Sequence, residues 1–192
     1  GDQPHYAKRH LVPFGEYLPL ESLLRGVIEL FNLPMSGFTV GPQGQGPLTI
    51  AGQQAAISIC YEDLFAEELI GQLQRGATLV INGSNNGWYG DSLAPHQHLQ
   101  IARMFSLVTA RPTLRATTNG ISAIIDHRGE VVAHSKQFDI DVVTGGVVPQ
   151  RGLTPFSRWG NGLLLLVLFI GLTLILVGGR YRRVRHIPVD AA

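Results

Sequence analysis

The feature that most constrains this chain is a run of 21 residues without a formal charge, WGNGLLLLVLFIGLTLILVGG, lying between Arg158 and Arg180. A helix of that length rises about 30 Å at roughly 1.5 Å per residue, which is the thickness of a bilayer's hydrocarbon core. The run is apolar on every side, whereas a helix packed on a soluble core keeps a polar face. Trp159 stands at one end, where interfacial aromatics collect. Arg180, Arg182, Arg183 and Arg185 follow at once and hold four of the chain's 15 basic residues. A membrane span over 159–179 is therefore expected, with a basic cytoplasmic tail at 180–192. Residues 1–155 then form a domain on the opposite side of that membrane, which in a Gram-negative cell is the periplasm. Its position near the C-terminal end excludes a cleaved signal peptide.

Composition fits a soluble-type body carrying a greasy appendage. Charged residues make up 15% and mean hydropathy is +0.15, against roughly 25% charged in an average soluble domain. A net charge of +1 gives no reason to expect a nucleic-acid partner. The opening GDQPHYAKRH carries no start methionine and no helix-opening pattern, and it reads as the middle of a domain.

Within the body, β and α signals alternate. AAISIC (55–60) is a short apolar strand, and YEDLFAEELIGQL (61–73) has helical spacing. ATLVIN (77–82) is a second strand, leading into the turn-rich GSNNGWYG. A helix is expected over 98–110, ending before Pro112. Strands are expected at 113–118, 121–126, 130–134 and 138–143, with His127-Arg128-Gly129 as a turn. Strand–helix–strand order followed by hairpins defines an α/β layered sandwich. Residues 21–46 mix large apolar side chains with prolines and glycines. They form either a helix on the core followed by a loop, or an apolar lid beside the site.

Cys60 is the chain's single cysteine, which excludes an internal disulfide and any multi-cysteine metal site. It is placed where a buried strand ends and a helix begins. Backbone N–H groups there favour a thiolate and a nearby oxyanion. On the local pattern alone, such a cysteine is either a nucleophile or a small buried hydrophobe. Lys8, His10, Glu16 and Glu21 surround a rigid Pro13-Phe14-Gly15 turn. Trp88 is a large aromatic in a glycine-rich loop. His96 and His98 sit two apart, do not share a helix face, and read as polar helix-start residues. No metal or other cofactor is called for.

HLVPFGEYLPLE (10–21), ISICYED (57–63), INGSNNGWYGDS (81–92), HQHLQIARM (96–104) and RPTLRATTNGIS (111–122) together resemble the nitrilase, or carbon–nitrogen hydrolase, superfamily, specifically its apolipoprotein N-acyltransferase branch. The resemblance implies a nitrilase-like α-β-β-α sandwich, here its C-terminal part, followed by one transmembrane helix. It also implies a Glu–Lys–Cys triad, in which Lys8 corresponds to the lysine and Cys60 to the nucleophile. Glu16 corresponds to the further glutamate of the PFGE motif, and Tyr61, Glu62 and Trp88 to positions associated with activity. The triad glutamate is expected upstream of Lys8, outside this chain, so these 192 residues alone are expected to turn nothing over. Phe105 and Val108 stand where the family pattern has an arginine and a glutamate.

The implied reaction takes an acyl chain from a phospholipid onto Cys60 as a thioester, then transfers it to the N-terminal amine of a diacylglyceryl-cysteine apolipoprotein. The partners would be a phospholipid donor, an apolipoprotein acceptor and the membrane. Two rival readings are a membrane-tethered amidase of the same superfamily and a non-catalytic binding domain derived from such an enzyme.

Overall fold

The computed structural model describes residues 4–17 and 37–185, with side chains to Gly178. Its frame is one six-stranded sheet built from β1 (Leu48–Ile50), β2 (Gln53–Ile59), β3 (Leu79–Asn85), β4 (Thr113–Thr118), β5 (Ala123–Ile125) and β6 (Val131–His134). Spatial order follows chain order. The central strands β2, β3 and β4 run parallel, and β1, β5 and β6 are added antiparallel. Parallel neighbours need crossovers. These are supplied by α1 (Ala66–Gln74) between β2 and β3 and by α2 (Ala94–Thr109) between β3 and β4.

Both helices cover the same face. Leu69 and Leu73 of α1 and Phe105 of α2 meet Ala56 of β2 and Val80 of β3, with Leu153 and Phe156 closing the cluster from the C-terminal segment. Small Ala56 lets the large helix side chains sit close to the sheet. Among the described residues the opposite face carries no helix, and Ile57, Ile81 and Leu114 there are only half-buried. The structure therefore supplies one sheet and one helix layer of the expected sandwich.

Two buried polar side chains fasten this arrangement. Gln72 of α1 accepts from the Ile57 N–H at 2.8 Å and donates to the Ile57 carbonyl at 2.9 Å. The pairing of β1 with β2 stops at Ala55, so the glutamine amide takes over the hydrogen bonds of a missing neighbour strand. Arg111, just before β4, donates to the carbonyls of Ala77 (3.0 Å) and Gly152. That contact ties the C-terminal segment to the sheet, and burial lowers the guanidinium's pKa.

Strand β4 forms over the residues expected, and the 126–129 turn forms between β5 and β6. Three elements differ. The helix expected over 61–73 is broken into a 3₁₀ turn, Cys60–Leu64, and α1. The break falls at Phe65 (φ −99°, ψ 81°), whose ring stacks on His10 at 3.9 Å and meets the edge of Tyr61 at 5.3 Å. Strand β3 runs on through Gly83-Ser84-Asn85, read as loop, because pairing with β4 continues to Asn85↔Thr118. The strand expected at 138–143 is absent. Phe138 has φ 65°, which an extended strand does not allow, and Ile140 and Val142 lie exposed in irregular backbone.

After the short helix α3 (Pro155–Trp159), capped by Thr154, comes α4 (Gly162–Arg185). Among the described residues no helix is long and apolar enough to cross a membrane. The side chains of α4 are described only to Gly178, seven residues before the helical backbone ends. Most of the 21–46 segment, including Glu21, lies outside the described residues.

Candidate active site at the end of the parallel strands

Ligand sites of open parallel sheets lie beyond the carboxyl ends of the strands. At that edge stand Cys60 after β2, the Asn86–Tyr89 loop after β3 and Asn119 after β4. Cys60 adopts φ 58°, a left-handed conformation that costs a β-carbon-bearing residue about 1–2 kcal/mol. It is partly accessible and free. A sharp strand-to-helix turn that lifts one reactive side chain out of the backbone path is a geometry suited to a nucleophile.

The Ile59 N–H and the Cys60 carbonyl are both held by side chains. Glu62, only 1% exposed, accepts from the Ile59 N–H at 2.7 Å through Oε2. Asn82 Nδ2 donates to the Cys60 carbonyl at 3.0 Å and to Ser58 Oγ at 2.9 Å. The Asn82 Oδ1 in turn accepts from Ser84 Oγ at 2.7 Å.

Glu62 also captures the N-terminal segment. Its Oε1 accepts from the backbone N–H groups of Arg9 (2.6 Å) and His10 (3.0 Å). Arg9 reinforces the attachment by pairing with Glu68 of α1, and the Tyr61 hydroxyl donates to the Leu11 carbonyl at 2.7 Å. Burial, then the charge of Glu62, push the Tyr6 phenol's pKa well up. Gly41 backs the segment from outside. Its N–H donates to the Lys8 carbonyl at 2.8 Å, and a β-carbon there would press on the Ala7 carbonyl.

So held, Lys8 lies beside the Cys60 turn, with its ammonium 5.5 Å from the centre of the Tyr61 ring. It donates to Glu16 Oε1 at 2.7 Å, and the other Glu16 oxygen accepts from the Val12 N–H at 2.9 Å. Burial raises the Tyr61 pKa, and the charges of Tyr17, Glu16, Glu62 and Cys60 raise it further. Five of the six residues singled out in the sequence thus lie around one turn: Cys60, Lys8, Glu16, Tyr61 and Glu62. Trp88 is at the same edge but 81% exposed among the described residues.

Sequence reasoning missed a second buried group behind Cys60. Asp63, beneath the turn, accepts from His98 Nε2 (3.0 Å) through one oxygen and from Arg115 Nη1 (2.9 Å) through the other. Arg115 Nη1 also donates to Asn82 Oδ1 at 3.0 Å. His98 is therefore a buried partner of Asp63, not a polar helix-start residue. The partners come from the turn, α2, β3 and β4, so no local spacing signals them. Tyr89 joins this side: burial raises its pKa, the Cys60 and Asp63 charges raise it further, and Arg115 lowers it. Phe105, which replaces an expected charge, belongs to the core under α1.

Among the described residues no three His, Cys, Asp or Glu side chains are placed to hold a metal ion. A cavity of about 350 Å³, lined by residues such as Gln53, Thr78, Arg111 and Leu153, opens at the amino ends of β2 and β3. It is at the opposite end of the strands from Cys60.

A mixed sheet thus carries a cysteine on a left-handed turn, with a lysine–glutamate pair held beside that turn. Residues 3–152 match the carbon–nitrogen hydrolase family, and the chain belongs to that family. Among curated proteins it is 48% identical over 176 residues, 88% of its length, to the apolipoprotein N-acyltransferase of Chromobacterium violaceum. It is 46% identical over 170 residues, again 88% of its length, to that of Nitrosomonas europaea. The chain spans 34% of each of these relatives, about a third of their length. Among solved structures it is similar to the C. elegans NitFhit protein, with a TM-score of 0.51 and 20% identity, covering 69% of this chain and 31% of that one. That likeness is one of fold, and the fold is nitrilase-like.

Proposed function

We propose that this sequence is the catalytic part of an enzyme that N-acylates lipoproteins through a thioester on Cys60. The observation that carries the reading is the capture of the Lys8 segment against the Cys60 turn by the buried carboxylate of Glu62. It brings a cation to a cysteine whose backbone is already set out of the strand path.

In the first half-reaction the Cys60 sulfur attacks an ester carbonyl of a phospholipid. The S–C bond forms, the ester C–O bond breaks, and the lysophospholipid leaves with the proton. The thiol's proton passes to the triad glutamate expected upstream of Lys8. Lys8 stabilises first the thiolate and then the tetrahedral oxyanion, and Glu16 holds its ammonium in place. In the second half-reaction the N-terminal amine of a diacylglyceryl-cysteine protein attacks the thioester, an amide forms, and the thiol is regenerated. An amine of this kind has a pKa of about 8, so a usable fraction is neutral near pH 7.

The same proposal places residues 1–155 on the periplasmic side, 159–179 in the membrane and 180–192 in the cytoplasm. In support, the described side chains of α4 from Leu163 to Val177 are outward and apolar throughout, apart from Thr173. An anchored site spares both lipid substrates extraction into water.

The test uses the full-length protein in membranes with a phospholipid whose acyl chain is labelled. A hydroxylamine-sensitive acyl group on the Cys60 peptide, lost in Cys60→Ala, is expected by mass spectrometry. Folded protein that forms no adduct, or that releases ammonia from small amides, overturns the reading in favour of the non-catalytic domain or the amidase.

A further inference from the structure

The buried group behind Cys60 has valences left over. Arg115 is 4% exposed, yet its Nε and Nη2 meet no hydrogen-bond acceptor among the described residues, and neither does His98 Nδ1. Leaving a guanidinium nitrogen unpaired in the interior costs about 1–3 kcal/mol or more. A fold that needed only to pack β4 against α2 would be served better by an apolar residue of similar size. The chain instead keeps a cation here. Burial pushes the guanidinium's pKa down, Asp63 raises it back, and the charges of Cys60 and Tyr89 act on it in the same sense. Arg115 is also one side chain, Asn82, away from the Cys60 carbonyl, so its charge stands close to the Cys60 turn.

The hydrogen bonds show how its position is transmitted. His98 and Arg115 hold the two oxygens of Asp63. Arg115 holds Asn82 Oδ1, and Asn82 Nδ2 holds the Cys60 carbonyl. One chain of contacts thus runs from α2 through β4 and β3 to the carbonyl of the left-handed Cys60.

We propose that Arg115 is a positioning residue for Cys60: supported by Asp63 and His98, it clamps the nucleophile's backbone through Asn82 and supplies a second positive charge to the thiolate, complementing Lys8. This rests on Cys60 being the nucleophile. The ionisable groups around the thiol are Lys8 and Glu16 from the N-terminal segment, Tyr61, Glu62 and Asp63 from its own turn, Tyr89 after β3, His98 on α2 and Arg115 on β4.

The test is the iodoacetamide alkylation rate of the Cys60 peptide in the full-length protein, read by mass spectrometry at pH 7 and pH 10, beside the thermal unfolding midpoint. Arg115→Gln is expected to slow alkylation about tenfold at pH 7, the effect of losing one nearby opposite charge. At pH 10, where a thiol ionises without help, the difference should disappear. Arg115→Lys keeps the charge and should recover most of the rate at pH 7, even if its unfolding midpoint falls as far as that of Arg115→Gln. Asp63→Asn keeps an acceptor for Arg115 but removes its counter-charge. It should alkylate about threefold faster at pH 7, which keeps the proposal testable if Arg115→Gln does not fold. Equal rates in wild type and Arg115→Gln at pH 7 overturn the proposal, as does slowing that persists at pH 10 or that Arg115→Lys does not relieve. An acyl adduct on Cys60 without Arg115-dependent alkylation sinks this inference and leaves the proposed function standing; the reverse pair of results does the opposite.

Discussion

Glu62 is the residue on which the two halves of the site depend, and Glu62→Gln isolates that role. The substitution preserves size and one acceptor oxygen. Oε1 now takes the Arg9 and His10 N–H groups and Oε2 takes the Ile59 N–H. In the amide, the remaining oxygen accepts as a neutral group, and the new NH₂ faces another donor. A hydrogen bond to a charged acceptor contributes about 1.5–3 kcal/mol, and a neutral one about 0.5–1.5. Each of the two bonds to the N-terminal segment therefore weakens by about 1 kcal/mol. The lost Ile59 bond is local to the turn and is left out of the count. The attachment of residues 6–11 should weaken by about 2 kcal/mol, roughly thirtyfold in an opening equilibrium. Hydrogen exchange of that segment in the full-length protein, followed by mass spectrometry, should speed up by that factor, and acyl transfer should fall as Lys8 leaves the turn. Exchange within threefold of wild type would refute the claim that the carboxylate charge, and not mere shape, holds the Lys8 segment.

Gln72→Leu removes both bonds to Ile57 while filling the same space; two orphaned backbone groups at about 1–2 kcal/mol each should lower stability by about 2–4 kcal/mol and the unfolding midpoint by about 5–10 °C. Gly41→Ala should displace Ala7 and Lys8, slowing acyl transfer while leaving the core's unfolding midpoint within a few degrees, which turnover and calorimetry on the same sample would check. Tyr6, Tyr61 and Tyr89 are held above the ordinary 10.0 in the fold. Their contribution to stability is thus complete below about pH 10 and is lost as pH rises through the folded values, because the unfolded chain gives up those protons first. Phenolate absorbance and unfolding followed together above pH 10 should show delayed ionisation and falling stability, whereas ionisation at the free-tyrosine pH with the fold intact would contradict it.

What could be read from the residues was what local pattern encodes. The strand before Cys60, the helix before Pro112 and the whole of β4 follow from apolar runs and breakers. Lys8 and Glu16 came from the family resemblance, and the pair they make spans only eight residues around a proline-bearing turn. What escaped is non-local or carried by polar residues. Asp63 meets His98 across 35 positions and Arg115 across 52. His98 in isolation is one polar residue near a helix start. Gly83-Ser84-Asn85 has turn composition, but a neighbour strand already in register overrides that preference. FDIDVV alternates as a strand should, yet the left-handed Phe138 turns the chain before the alternation can pair.

The polar residues around Cys60 have a common physical logic. A left-handed β-carbon-bearing residue persists only where its surroundings over-determine it. The backbone ladder is unable to do this at Cys60, because pairing of β2 with β3 ends at Ile59↔Gly83. Side chains take over at that point: Glu62 on the Ile59 N–H and Asn82 on the Cys60 carbonyl. A charge-assisted bond and a neutral one, both shielded from water, contribute about 2–4 kcal/mol together, more than the roughly 1–2 kcal/mol of strain. Each clamp also has a second duty, Glu62 binding the Lys8 segment and Asn82 binding Arg115. The backbone at Cys60 and the two cations proposed to serve its thiol are therefore set by the same few bonds, so losing either clamp should disturb geometry and charge together.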